Sequence, residues 1–80
     1  MTEQEAQTLT DKEQRLIGKT YIYNKNGFTY TLAEVYPGRH HERDYEVYYD
    51  LDPTPETEQK NEPGTIVESV DFITKWKLVS

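Results

Sequence analysis

Hydrophobic and polar residues alternate most cleanly over residues 44–51. Tyr45, Val47, Tyr49 and Leu51 fall on one parity, and Asp44, Glu46, Tyr48 and Asp50 on the other. A period of two sends the first set to one face of a strand and the second to the opposite face. One dry face and one wet face suit an antiparallel sheet. Residues 19–24 and 28–36, rich in β-branched and aromatic types, predict two more strands. Asn24-Lys25-Asn26-Gly27 joins them as a hairpin, because Asn and Gly accept the positive φ of tight turns. In 28–36 the apolar parity changes at Leu32–Ala33, which predicts a bulge there. Pro37-Gly38 is expected to end that strand.

Residues 39–43, Arg-His-His-Glu-Arg, form a polar connection. Residues 52–64 read as a long, mobile acidic loop, with Pro53, Pro55 and Pro63 and with Asp52, Glu56, Glu58 and Glu62 against Lys60 alone. Residues 65–68 predict a short strand. Ser69 is placed to cap a helical turn over 70–75, with Val70 and Ile73 three apart and Phe72 and Trp76 four apart. Residues 76–79 predict a last strand. The first 17 residues are polar and predict either a disordered arm or a short helix. Thr2 with Glu5, and Thr10 with Glu13, both fit a capping box, and a helix near 11–16 is the favoured placement.

The order predicts a mainly β domain over 18–80. The expected form is a small five-stranded SH3-like barrel or a strongly bent antiparallel sheet, since closure removes exposed edges. An open sheet of three or four strands backed by the N-terminal helix is the alternative. Eighty residues allow one domain with a thin core. There is no cysteine, so neither a disulfide nor a thiolate nucleophile is available. A cysteine-free chain fits a reducing compartment. No apolar run reaches the roughly 20 residues of a membrane span, and the first residues lack the basic start and apolar centre of a secretory signal. A cytoplasmic location is expected.

The folded part resembles a family of very small bacterial and phage proteins of unknown function with an SH3-like fold. The likeness rests on Gly18, Tyr21, Lys25, Gly27 and Tyr30, then Val47 and Tyr49, then Phe72 with Leu78 and Val79, and it covers residues 18–80. The chain departs from the family where Glu68-Ser69-Val70-Asp71 replaces a Trp-x-Arg-Pro run. It departs again where Tyr23 or Asn24 stands for a histidine. No site residue carries over. The ending, Ser-Val-Asp-Phe-x-x-x-Trp-x-Leu-Val, also resembles the tails of short phage reading frames, which implies an accessory or host-directed protein.

Charge and side-chain chemistry narrow the function. A net charge of −6 disfavours a general nucleic-acid binder and suits docking on a basic protein surface. Serine occurs only at 69 and 80, and no glycine-rich phosphate loop exists, so no catalytic residues are assigned and no enzyme is expected. His40 and His41, adjacent in an extended chain, would point to opposite sides, so no metal or other cofactor is assigned. The aromatic residues outnumber what a thin core can hide. Tyr36 and Tyr48 are the best candidates for accessible rings, and with Asp50, Asp52, Glu56, Glu58 and Glu62 they form the expected partner-binding set. Arg39, His40 and Arg43 are a candidate anion contact. The expectation is a non-catalytic module for a basic protein partner. The alternative is a peptide- or nucleic-acid-recognition module that uses exposed aromatics and the Arg39 to Arg43 loop.

Overall fold

A computed structural model describes residues 1–79. The chain opens with helix α1 (Glu3–Glu13) and a 3-10 turn at Gln14–Leu16. Strands β1 (Thr20–Tyr23), β2 (Thr29–Gly38) and β3 (Glu46–Pro53) follow. A helical turn α2 (Pro55–Glu58) leads to β4 (Thr65–Glu68), helix α3 (Ser69–Lys75) and β5 (Trp76–Leu78). The five strands form one antiparallel sheet in the order β4-β3-β2-β1-β5.

The alternation in β3 is realised as read. Val47, Tyr49 and Leu51 are buried, while Glu46, Tyr48, Asp50 and Asp52 take the other face. The bulge also lies where the parity changes. Leu32 pairs with Leu51 but Glu34 pairs with Asp50, so Ala33 is the extra residue and Val35 turns inward. The first hairpin uses Gly27 at φ 74, with Asn26 Oδ1 accepting from the Phe28 N–H at 2.8 Å.

Pro37-Gly38 does not end β2, contrary to expectation. Pro37 pairs with Val47 and Gly38 with Glu46. β1 pairs with β2 only at Thr29, Tyr30 and Thr31, so β2 is an edge where Pro37 sits and no ladder bond is lost.

The first 17 residues fold back as a helix longer and earlier than 11–16. The capping box that operates is Thr2 with Glu5, whose reciprocal bonds measure 3.1 and 2.9 Å. Thr10, the other candidate cap, is buried inside the helix instead. Ala6 is fully buried against the core, and Met1, Leu9 and Leu16 pack beside it. Two long-range bonds fix the segment: the Met1 amino group donates to Tyr45 O at 3.0 Å, and Gln14 Nε2 to Val35 O at 3.0 Å.

The 52–64 stretch also carries structure. β3 runs on to Pro53, and Pro55 opens α2 at a position where its missing N–H costs nothing. Thr57 is 1% exposed and bonded to Thr29. At α3 the cap is Glu68, without a side-chain bond, and Ser69 is the first helical residue.

α3 joins the two edges of the sheet. Its seven residues span roughly 10.5 Å at about 1.5 Å per residue. A flat five-stranded sheet would hold its edges about 19 Å apart at roughly 4.8 Å per spacing. The sheet therefore bends to bring β4 and β5 toward each other, though no ladder joins them among the described residues. Phe72, on the inner side of α3, fills the concave face. Its ring stacks on Tyr49 at 4.1 Å and tilts against Tyr21 at 4.8 Å.

Candidate functional site

Cross-strand partners share a face, so the register defines the outer surface of the sheet. Tyr48 stands opposite Tyr36 on β2 and opposite Glu68 on β4. Asp50 stands opposite Glu34 and Ile66, and Asp52 opposite Thr31. The outer face over β2, β3 and β4 thus holds Glu34, Glu46, Asp50, Asp52 and Glu68 around two tyrosines. None of these carboxylates has an ion-pair partner among the described residues, where the ion pairs are Arg15–Glu13 and Lys75–Asp71.

The tyrosines are half-buried by each other. Their ring centroids lie 5.7 Å apart at 25°, an offset stack. Gly38 makes room for it: a Cβ there would stand 2.9 Å from Tyr48 Cε2. The Tyr48 ring lies against the bare backbone of Gly38 and stays partly exposed.

Asp50 resists ionisation in this crowd. Burial, then Asp52 and Glu34, raise the Asp50 pKa above the usual carboxylate value. Burial, then Asp50, Glu34 and Tyr48, raise the Tyr36 phenol. Both shifts owe most to burial and next to the negative groups that face one another.

At one end of the face an open cavity of about 450 Å³ is lined by His40, Glu42, Arg43, Asp44, Glu46, Tyr48 and Glu68. Its carboxylates outnumber its arginine. Arg39 turns elsewhere, its guanidinium 5.4 Å from the Tyr45 ring centroid. Arg39, His40 and Arg43 are therefore not gathered around one anion position. His40 and His41 do not point apart either. His41 adopts φ 58, and the two rings meet edge-on at 4.3 Å. Among the described residues no group of His and carboxylate side chains is arranged to hold a metal ion.

The partner-binding residues expected from sequence divide into groups. Tyr36, Tyr48, Asp50 and Asp52 come together on the outer face. Glu56 and Glu58 lie exposed on α2. Glu62 lines a second cavity, of about 250 Å³, with Tyr23, Tyr30, Pro63, Thr65, Val67 and Trp76. Sequence reasoning missed Glu34, Glu46 and Glu68. The parity of β3 already placed Glu46 beside Tyr48, whereas Glu34 and Glu68 needed the register.

Compared with family models, with curated proteins and with solved structures, the chain matches none. No helix among the described residues is long and apolar enough to cross a membrane.

Proposed function

We propose that this chain is a non-catalytic protein-interaction module that docks its acidic, tyrosine-bearing sheet face on a basic protein surface. One observation carries the reading. Glu34 and Asp50 stand directly opposite each other beside the Tyr36–Tyr48 stack, with no ion-pair partner among the described residues. Like charges in that position cost stability. A basic partner supplies the missing counter-charge, and the tyrosines supply the apolar anchor at the centre. Glu56 and Glu58 on α2 extend the field and speed the encounter.

The finer fold assignment belongs to the same proposal. The strand order and the helical link from β4 to β5 support an SH3-like bent sheet, as the family resemblance implies. A host-directed role for a phage or mobile-element protein follows from that resemblance. The competing reading, nucleic-acid recognition, needs a positive stripe from Lys19, Lys25, Arg39, Arg43, Lys75 and Lys77. Arg43 shares its cavity with carboxylates, Lys75 is held by Asp71 at 3.2 Å, and Lys77 lies on β5 at the far edge. That distribution favours the protein partner.

The test is a tagged pull-down at low salt, eluted in salt steps, with and without nuclease. A protein that survives nuclease, elutes as salt rises and is lost with Tyr48→Ala supports the reading. Neutralising Glu56 and Glu58 should slow its association. Salt-insensitive capture, or loss of every partner after nuclease, overturns it.

A further inference from the structure

The second cavity lies on the concave side, away from the acidic face. Thr65 and Val67 of β4 form one side, and Trp76 of β5 with Tyr23 and Tyr30 forms the other. Glu62, Pro63 and Gly64 border it where the chain enters β4. Trp76 is only 7% exposed, and its indole Nε1 is buried without an acceptor among the described residues. A buried indole N–H ordinarily has a partner, and leaving one unpaired is costly.

The ring geometry limits what can enter. Tyr23 stacks on Trp76 at 4.5 Å and 21°, and Tyr30 meets Trp76 edge-on at 4.9 Å. These rings touch each other, so no slot between them admits a methylated ammonium group. They make a continuous aromatic wall. A volume of about 250 Å³ falls below the usual range for a whole small-molecule ligand, roughly 300–1,000 Å³. It suits one anchoring side chain of something larger. The neighbouring β4 is an edge strand with one row of backbone groups unpaired among the described residues.

We infer that β4 and this cavity together form a binding site for an extended peptide of a partner protein. The peptide adds as a strand to the free edge of β4 and seats one apolar side chain on the Tyr23, Tyr30 and Trp76 wall. The Trp76 Nε1–H, inaccessible in the free chain, pairs with a peptide carbonyl when the indole turns toward the cavity on binding. The half-buried Glu62 carboxylate at the rim selects a basic residue next to the anchor. This site is independent of the acidic sheet face and does not rest on the proposal made for it.

Trp76 is the only tryptophan in the chain, so its indole N–H gives a single, unambiguous nuclear magnetic resonance signal. The experiment pans a displayed library of short random peptides against the full chain, then titrates the enriched peptide, made synthetically, into labelled protein. The expected enrichment is for alternating apolar residues with an adjacent Lys or Arg. The indole signal should move, and amides of Thr65, Ile66, Val67 and Glu68 that do not bond β3 should exchange more slowly. Trp76→Phe, checked for folding by circular dichroism, should weaken binding roughly three- to tenfold. N-methylating the peptide's edge amides should abolish binding. Proline-rich binders that leave β4 exchange unchanged, or binding that tolerates N-methylation, overturn strand addition. Failure to enrich any peptide that moves the indole signal overturns the site. Protection that appears without peptide and grows with protein concentration assigns the edge to a second copy instead.

Discussion

Thr57 Oγ1 donates to Thr29 O at 2.7 Å and accepts from Thr29 N at 3.0 Å. One hydroxyl thus serves both backbone groups of a residue at the start of β2, as a neighbouring strand would. Thr54 reinforces the arrangement, its N–H donating to the same carbonyl at 3.2 Å and its hydroxyl lying 2.7 Å from Thr29 Oγ1. Replacing Thr57 by Val keeps the shape and removes the hydroxyl. The expected loss is about 1 kcal/mol, because the part-buried Thr29 N–H loses its acceptor while the Thr29 carbonyl keeps Thr54. Urea denaturation checks it, and Thr57→Ser should recover most of the loss.

Asp50 faces Glu34 with its pKa raised by burial, Asp52 and Glu34. The folded state therefore holds this proton more tightly than the unfolded chain. Stability falls as pH rises from the unfolded carboxylate range through the folded value. Asp50→Asn should raise stability at neutral pH by about 0.2–1 kcal/mol, the usual size of a cross-strand pair effect. It should also flatten the pH dependence just above the ordinary carboxylate range. Thermal melts at pH 7 and at mildly acidic pH test both. The same substitution should weaken capture of a basic partner.

Tyr49 lies in the core under Phe72, where burial, then Glu13 and Tyr21, push its phenol up to about 12. Its contribution to stability is intact below the unfolded value near 10 and is lost between there and about 12. An alkaline spectrophotometric titration should show a tyrosine step at about 12. Tyr49→Phe should remove that step.

Phe72 is the buried residue of α3 and touches both Tyr21 and Tyr49. Phe72→Ala should cost about 3–5 kcal/mol, the range for truncating a core aromatic. In a domain this small that is a large share of the total. Calorimetry reads the loss. Ile73→Ala, on the exposed side of the same helix at 74% exposure, should change stability within about 0.5 kcal/mol.

β3 was legible because a half-buried strand writes its two faces directly into residue parity. The Leu32–Ala33 bulge was legible for the same reason, as a fault in that parity. What escaped depends on partners distant in sequence. Pro37 looked like a strand end, because nothing local reveals that β1 stops short of it. Thr57 looked like one polar residue in a charged loop until Thr29, 28 positions earlier, came beside it. The length of α1 was obscured by its weak apolar stripe, in which Ala6 is the buried contact and Thr10 takes a core position. Half of the acidic face was readable in β3 alone, and the rest required knowing which strands flank it.

The pairing of β1 with β5 shapes the kinetics of the molecule. Strands β1 to β4 meet their neighbours in order along the chain, so each ladder closes a short segment. β5 must find β1 across the whole domain, joining Tyr23 to Trp76. Loop closure makes such a pairing late, and three residues of ladder make it easy to lose. Hydrogen exchange should find α3 and β5 opening as one unit while the β2–β3 ladder stays shut. Since Trp76 travels with β5, each such opening would also remove the aromatic wall beside β4, and refolding would rebuild that wall last.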